Sequence, residues 1–209
     1  SEQTAVLRNR ELSELNTIIL HIGNGASASA VRAGHPVDIS TGMTTVGGLI
    51  MGTRPGDIDP GMVLHLLRNA QMTGLELEDL INNRSGLQGM CGDSDLREVT
   101  RRALAGDQAA QLAYDVYVKR IRRYVGAWMV TLGRTDTIVF TGGAGQNAPD
   151  LRTDVLANLE PMGIVIDPVR NESAKRGARI ISARSSKITV AVIPTNEELA
   201  IARKAWAFV

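Results

Sequence analysis

Two glycine-rich turns contain the residues of this chain that are best suited to bind an anion. The first begins at His21 and continues Ile-Gly-Asn-Gly-Ala-Ser, directly after the apolar run 17–20. The second, at 141–147, has the sequence Thr-Gly-Gly-Ala-Gly-Gln-Asn. Because glycines carry no side chain, the main-chain N–H groups of such turns can approach an anion closely. We therefore predict that both turns bind one nucleotide.

The glycine patterns exclude one class of nucleotide site and leave another open. Neither turn has the Lys and the hydroxyl residue that follow the glycines of a P-loop. Residues 23–28 and 143–148 both match the dinucleotide pattern G-x-G-x-x-A. An alternating strand pattern follows the first match, which argues against a Rossmann turn there. The second match precedes a predicted helix, so a dinucleotide site and a plain strand-to-helix connection are both possible.

Charged residues near other glycines are further candidates. Arg54 lies in a loop with two carboxylates, and an arginine can hold a phosphoryl group and offset its developing charge. A solvated arginine is the alternative, and Asp59 is expected to cap a helix. Asp95-Leu96-Arg97, at a helix start, would suit the nucleoside end of a nucleotide. Helix capping plus a surface arginine explains this segment equally well.

Two more residues have both a structural and a functional interpretation. His21 stands at a strand end, where a hydrogen-bonded structural histidine is common, but its ring could also donate to a phosphate oxygen. Glu197 falls in the first turn of the last predicted helix, where the helix dipole favours acidic residues. Its carboxylate could instead help to hold Mg²⁺ through water.

Composition limits the classes of partner. The 209 residues include 23 Lys and Arg against 22 Asp and Glu, and this net charge of +1 gives no footprint for nucleic acid or an anionic membrane. The single cysteine, Cys91, fits a reducing cytoplasm. No apolar run has membrane-spanning length. We expect a cytoplasmic protein with no nucleic-acid or membrane partner. Residues 1–4 look like an exposed lead-in and not like a natural initiation site, so we expect the chain to be a fragment or a processed product.

Apolar periodicity predicts an α/β domain that opens with an antiparallel meander. A short helix is expected at 5–16, after which a strand at 17–22 and alternating segments at 27–31 and 37–40 form three strands. Glycine-rich loops are expected at 41–61 and 85–92. Between them, two helices are predicted, the first with Val63, Leu66, Leu67 and Ala70 on one face. Asp93 or Ser94 is expected to cap a third helix, which runs to Leu104.

The second half of the chain alternates between helix and strand. The longest predicted helix covers 107–132, and strands are expected at 137–140, 164–166 and 188–193. Shorter helices are expected at 148–159 and after Thr195. Such alternation after a meander indicates a mixed sheet flanked by helices. The long helix has one apolar stripe, made of Tyr114, Val118, Ile121, Val125, Trp128 and Leu132.

Taken in order, these segments resemble the acetate kinase (acetokinase) family. The similarity covers nearly the whole chain. The match of any one segment is weak evidence, but the order and spacing of all of them together are specific for the family. The segments that carry the resemblance are 21–27, 51–60, 85–87, 94–97, 140–147 and 194–199.

The resemblance implies the actin-like, ribonuclease-H-like ATPase fold and ATP-dependent phosphorylation of acetate to acetyl phosphate with Mg²⁺ or Mn²⁺. It implies that Arg54 stabilises the transferring phosphoryl group and that Glu197 serves the metal. The nucleotide, ATP or ADP, would be bound by His21, Ile22, Gly23, Asn24, Gly25, Asp95, Leu96, Arg97, Gly143, Ala144, Gly145, Gln146 and Asn147.

The resemblance also implies a domain division and partners. Residues 1–16 would be a lead-in, 17–195 the C-terminal nucleotide-binding domain, and 196–209 a helix that packs on an N-terminal domain. That missing domain would supply a further catalytic aspartate and histidine, so this chain alone is expected to be nearly inactive. A homodimer is implied as well.

Three departures from the family pattern concern the loops. Gln146 replaces a usual glutamate, which leaves the polar contacts of its loop open, Pro55 replaces a common serine, and residues 39–41 are Ile-Ser-Thr. Propionate or another short acid is an alternative substrate. A non-catalytic nucleotide-binding module and a dinucleotide-dependent oxidoreductase are alternatives of other classes.

Overall fold

The computed structural model of the protein describes residues 1–195 and, beyond them, Ala202, Ala205 and Trp206. Its centre is a six-stranded sheet in the order β3-β2-β1-β4-β6-β5. The strands are β1 Asn16–Ile22, β2 Ala26–Arg32, β3 His35–Ile39, β4 Thr137–Thr141, β5 Arg179–Ile180 and β6 Thr189–Val192.

The strand directions follow from the lengths of the connections. Short turns join β1, β2 and β3, which pair antiparallel, whereas β4 lies parallel to β1 and β6 parallel to β4 after long crossovers. The short strand β5 pairs antiparallel with β6 at the far edge. This arrangement confirms the predicted mixed sheet that opens with an antiparallel meander.

Helices cover the sheet, and the longest of them forms the core. They are α1 Glu2–Arg8, α2 Pro60–Arg68, α3 Gly74–Asn83, α4 Gly86–Cys91, α5 Leu96–Leu104, α6 Gln108–Leu132, α7 Gly142–Asn147, α8 Pro149–Leu156 and α9 Pro168–Glu172, with 3₁₀ turns at Leu12–Glu14 and Glu160–Met162. All six residues of the predicted stripe on α6 are buried. This helix agrees with the one predicted at 107–132, and Asp107 is its N-cap and Gly133 its C-cap.

The hydrophobic core lies mainly on one side of the sheet. Alternate residues of β1, namely Ile18, Leu20 and Ile22, pack with α6 and with Leu87 of α4 in one large cluster. A smaller cluster on β4 and β6 includes Val139 and Ala191, and Leu7 and Ile19 pack against it. The central strands β1, β4 and β6 are therefore covered on both faces, as is usual for parallel strands.

Three predictions in the first half of the chain are wrong for identifiable reasons. The first helix ends at Arg8, because Asn9 adopts a left-handed conformation with φ 48°. The segment 85–92 is not a loop but contains α4, since the packing of Leu87 (1% exposed) outweighs the poor helix propensity of its glycines. Asp95, and not Asp93 or Ser94, caps α5.

Three further predictions fail beyond β4. The glycine turn at 142–147 is itself helical, and the helix predicted at 148–159 is the shorter α8, which ends at Leu156. The apolar run 164–166 forms no strand. It makes one isolated bridge between Ile166 and Ser182, while Ile164 (1% exposed) fills the core.

The segment between β3 and α2 contains no helix or strand, as predicted for 41–61, although α2 already begins at Pro60. The side chain of Asp59 caps α2 by accepting a hydrogen bond from the Gly61 N–H. The predicted apolar face of α2 is not buried, and Leu67 is 37% exposed.

Glu197 and most of the last predicted helix lie outside the described residues. Among the described residues, no helix is long and apolar enough to cross a membrane.

Candidate functional site

A cavity of about 790 Å³ opens beside the ends of β1 and β4, where three predicted segments meet. Its wall contains Gly23 and Asn24 from the first glycine turn, residues 95–97 from the start of α5, and part of α7. These segments are far apart in the sequence, and the parallel pairing of β1 with β4 brings two of them together. The lining residues are Gly23, Asn24, Gly52, Leu87, Ser94, Asp95, Leu96, Arg97, Thr100, Tyr117, Gly143, Ala144, Asn147, Ala148, Pro149, Asp150 and Leu151.

The first turn is tight and lies against an arginine. The Gly23 N–H donates to the Gly25 carbonyl at 3.1 Å, which closes the turn between β1 and β2. A Cβ atom at Gly25 would lie 2.9 Å from Nη2 of Arg54, so glycine is what lets the guanidinium approach the backbone. Arg54 also donates to the Thr45 carbonyl at 2.7 Å. The structure thus places the one predicted catalytic cation at the predicted phosphate turn.

Gly52 joins the first turn to the start of α5. Its N–H donates to the Asn24 carbonyl at 3.0 Å. A Cβ atom at Gly52 would lie 2.8 Å from the Ser94 carbonyl and closer still to Oδ1 of Asn24. No side chain fits between these two segments, so Gly52 is needed for the cavity to form. The sequence marked this position only as one of several loop glycines.

A network around Asp57 holds the Arg54 loop on α6. One carboxylate oxygen of Asp57 accepts from the Gly48 N–H and the other from the Tyr124 hydroxyl, both at 2.7 Å. Arg120 donates to the carbonyls of Gly48 and Asp57 at 2.9 and 3.1 Å. Burial, together with Asp57, raises the pKa of Tyr124 to about 12, so its hydroxyl stays a donor at neutral pH. The irregular segment that bears Arg54 is therefore fixed at both of its ends.

Asp95 and Arg97 form an ion pair at the entrance of the cavity. Asp95 caps α5 by accepting from the Arg97 N–H at 2.9 Å, and its carboxylate also accepts from the Arg97 guanidinium at 2.6 Å. The Arg97 side chain, which is 91% exposed, lowers the pKa of Asp95 through these hydrogen bonds. Both interpretations of this segment thus have a structural basis, because the capping residues also line the cavity.

The second glycine segment packs directly on β1. Gly142 has φ +78°, and a Cβ atom there would lie 2.6 Å from the Ile22 carbonyl. The Gly142 N–H donates to Oγ1 of Thr195 at 3.2 Å, and that hydroxyl also shares a hydrogen bond with Thr141 at 2.7 Å. Because of this anchoring, Gly143, Ala144 and Asn147 present one side of α7 to the cavity.

Arg152, which the sequence reasoning missed, holds the other end of α7. It is 1% exposed and donates to the carbonyls of Gly145 and Gln146 at 2.8 and 3.0 Å. It also donates to the side-chain and backbone oxygens of Asn171, each at 2.7 Å. Burial lowers the pKa of Arg152 to about 10, which still leaves the guanidinium charged at neutral pH.

Several predicted residues are near the cavity but do not line it. His21 is half-buried within β1, between Ser27 of β2 and Thr141 of β4. Ile22 is in the core, and Gly25 faces Arg54. Gly145 and Gln146 offer their carbonyls to Arg152. Gln146, which replaces a usual glutamate of the family pattern, is not among the residues that line the cavity.

Other lining residues were not predicted. Thr100 lies one helical turn beyond Leu96 and donates to its carbonyl at 2.7 Å, so helical spacing from 96–97 was an available signal. Tyr117 of α6 adjoins the predicted apolar stripe, but nothing in the sequence shows that it reaches a cavity. In the described part of the chain, no three His, Cys, Asp or Glu side chains are grouped to hold a metal ion.

Comparison with known sequences gives a consistent result. A sequence model of the acetokinase family matches residues 1–203. The chain is 47% identical over 209 residues to an acetate kinase of Streptomyces avermitilis and 50% identical over 208 residues to one of Corynebacterium efficiens. These alignments cover 100% of this chain but 52% of each relative. The chain thus spans about half the length of the curated relatives that it matches.

Known structures agree with this. An acetate kinase of Porphyromonas gingivalis is 40% identical and superposes with a TM-score of 0.94, covering 99% of this chain and 52% of the other. A propionate kinase of Francisella tularensis is 38% identical, with a TM-score of 0.89 over 97% of this chain and 51% of the other. These likenesses confirm the predicted fold, an α/β domain of the actin-like ATPase type.

Proposed function

Because this chain belongs to the acetokinase family, we propose that it is the nucleotide-binding half of an ATP-dependent kinase that converts acetate to acetyl phosphate. The observation that supports this most is that the first glycine turn, the start of α5 and α7 line one common cavity. Its volume of about 790 Å³ is in the range of small-molecule and cofactor sites.

Each segment has a role in the proposed complex. The backbone N–H groups of Asn24 and Gly25, with His21, bind phosphate oxygens beside Gly23, whose own N–H closes the turn. Residues 95–97 lie at the adenosine end. Gly143, Ala144 and Asn147 hold the ribose side of the nucleotide, supported by Gly145 and Gln146. In the reaction an acetate oxygen forms a bond to the γ-phosphorus as the bond to the β–γ bridging oxygen breaks. The electron pair of that bond leaves on ADP.

Arg54 is the proposed catalytic residue of this half. Its guanidinium lies against the turn that would hold the phosphates, where it can bind the transferring phosphoryl group bidentately. Its network through Asp57 and Arg120 restricts the loop before substrate binds, which reduces the reorganisation needed in the transition state.

A divalent cation, Mg²⁺ or Mn²⁺, would neutralise charge on the phosphates when bound. The described residues have no ready group of three ligands, but Mg²⁺ needs only one or two carboxylates beside phosphate oxygens and water. We assign Glu197 to this ion, although its position lies outside the described residues.

The remaining partners are also proposals. A separate N-terminal domain completes the site around acetate, residues 17–195 form the nucleotide domain after a lead-in at 1–16, and residues 196–209 pack on the N-terminal domain. Two copies associate as a homodimer. The cytoplasmic location expected from the single Cys91 stays a prediction. Propionate is the second candidate substrate, since one similar structure is a propionate kinase.

Calorimetric titration of the 209-residue chain tests the nucleotide proposal. We expect Mg²⁺-dependent binding of ADP and no binding of NAD. The variant Gly143→Leu should abolish binding. Gly143 lines the cavity, and a Cβ atom there has no other atom within 4 Å, so the leucine side chain would fit without disturbing the fold and would occupy space that the nucleotide needs. Gly74→Leu, an equally open glycine outside the cavity, is the control. Binding of NAD but not of ADP would favour the oxidoreductase alternative instead.

Turnover provides a second test. The chain alone should form little or no acetyl phosphate from ATP and acetate, because the catalytic aspartate and histidine implied by the resemblance belong to the other half. A rate comparable to that of a full-length relative would contradict the proposal that essential catalytic residues belong to the other half. If ADP binds but no acid supports turnover even with the N-terminal half supplied, the non-catalytic module becomes the better explanation.

A further inference from the structure

All three tyrosines of the chain lie on α6, and one of them differs from the other two. The hydroxyl of Tyr114 donates to Asp154 at 2.6 Å, and that of Tyr124 donates to Asp57 at 2.7 Å. Tyr117 is 2% exposed and belongs to the wall of the cavity. Within the described part of the chain its hydroxyl has no hydrogen-bond partner, and burial is the sole cause that raises its pKa.

The Tyr117 hydroxyl is not among the fully enclosed side-chain atoms without a partner, which agrees with its place on the wall of the cavity. A buried tyrosine hydroxyl generally finds a partner, because leaving a polar group dry and unpaired is costly. On the same helix, two other tyrosines satisfy this requirement with carboxylates. The hydroxyl of Tyr117 is therefore available to a molecule that enters the cavity.

The surroundings of Tyr117 indicate which part of a ligand it would meet. Leu87 and Leu151 line the cavity and belong to the same hydrophobic cluster as Tyr117, and Leu96 packs against that cluster. The glycine turn, with Gly52 and Arg54 beside it, comes from other elements and offers backbone N–H groups and a cation instead. An apolar wall with one hydroxyl suits a flat heteroaromatic base, whereas the turn suits phosphates.

We propose that the Tyr117 hydroxyl donates a hydrogen bond to a ring nitrogen of a purine base and thereby sets the base preference of the site. This inference rests on the proposed nucleotide binding and adds a specificity-determining residue to it. A purine ring nitrogen is an acceptor, which matches a phenol that has kept its proton. A pyrimidine is shorter by one fused ring, so it would not reach the inner wall.

The conservative variant Tyr117→Phe tests this directly in the 209-residue chain. It removes one oxygen and keeps the ring that packs in the core. Calorimetry with ADP should show binding weakened by about five- to tenfold, the usual effect of one lost hydrogen bond. The affinity for CDP, measured by competition, should change by less than about twofold, so the ratio of the affinities for ADP and CDP falls. Tyr114→Phe, which removes a hydroxyl outside the cavity, is the matched control and should leave ADP affinity unchanged.

The outcomes separate this inference from the proposal on which it rests. If the wild-type chain binds ADP and Tyr117→Phe binds it equally well, the base-reading role is wrong and the nucleotide site stands. Equal weakening of ADP and CDP, or equal weakening by Tyr114→Phe, would show a general loosening of the domain and overturn the inference. No ADP binding by the wild-type chain would overturn both.

Discussion

At the residue scale, Arg152 shows how strongly this site depends on a buried cation. Its guanidinium makes four hydrogen bonds, and all of the acceptors are neutral oxygens of Gly145, Gln146 and Asn171. The carbonyls at the C-terminal end of α7 carry partial negative charge, which favours a cation there. Arg152 therefore compensates part of its burial cost by fixing the segment that lines the cavity.

We predict that Arg152→Met destabilises the domain by about 2–4 kcal/mol. The substitution leaves several buried carbonyls without a hydrogen-bond donor. The free energy lost in this way exceeds the desolvation cost that is avoided when the buried guanidinium is removed. The measurement is urea unfolding followed by circular dichroism. Arg101→Met is the control: this arginine side chain is 67% exposed and, among the described residues, pairs with Glu98, so the change should leave the urea midpoint nearly unchanged. A loss below about 1 kcal/mol for Arg152→Met would contradict the structural role.

Residues of this kind are hard to predict because their partners are remote or hidden. Gly23, Arg54 and Asp95 could be proposed from the sequence, since glycine spacing and local charge are visible there. The roles of Arg152 and Tyr117 depend on which elements meet around them. An arginine on a short amphipathic helix looks solvated until α9 brings Asn171 to it.

At the scale of elements, the irregular loop between β3 and α2 is positioned by α6. We predict that Asp57→Ala accelerates hydrogen exchange at the Gly48 amide by about tenfold or more, because this N–H donates to the Asp57 carboxylate. Global stability should fall by about 1–2 kcal/mol, since Tyr124 and Arg120 also lose a partner. Mass spectrometry or NMR of the exchanged protein gives both values.

Asp59→Ala provides the control for this loop. Asp59 is two residues away and caps α2 through the Gly61 N–H, so its loss should loosen α2 and leave the Gly48 amide protected. If both variants expose Gly48 to the same extent, the loop is held by its general packing and not by Asp57.

The elements that were predicted well are those whose own pattern determines them. The stripe on α6 and the alternation of β2 correspond to burial in the structure, whereas all five residues of β3 are exposed and do not show the predicted alternation. The short helices α4 and α7 could not be predicted, because glycine disfavours helix and both depend on tertiary contacts. Leu87 of α4 packs in the core, and Gly142 of α7 requires the backbone of β1 beside it.

At the scale of the whole molecule, the described part of the chain leaves apolar side chains of α2 uncovered. Leu67 of the predicted face is 37% exposed, and Met62 and Leu64, which lie outside that face, are 42% and 50% exposed. Leu75 at the start of the neighbouring α3 is 79% exposed. A periodic pattern predicts that a face is apolar but not what covers it. A second copy of the chain is the partner that the proposed homodimer supplies.

We therefore predict that Leu64→Glu prevents self-association. In a symmetric interface the substitution occurs twice and buries two carboxylates in apolar surroundings, which should weaken the dimer at least tenfold. Because Leu64 is half exposed in the single chain, the melting temperature of the monomer should change little. Analytical ultracentrifugation of the wild-type chain and the variant measures the association. Leu112→Glu, at a 64% exposed position on α6, should leave it intact. A wild-type chain that stays monomeric at high micromolar concentration, or a dimer that tolerates Leu64→Glu, would exclude this face as the interface.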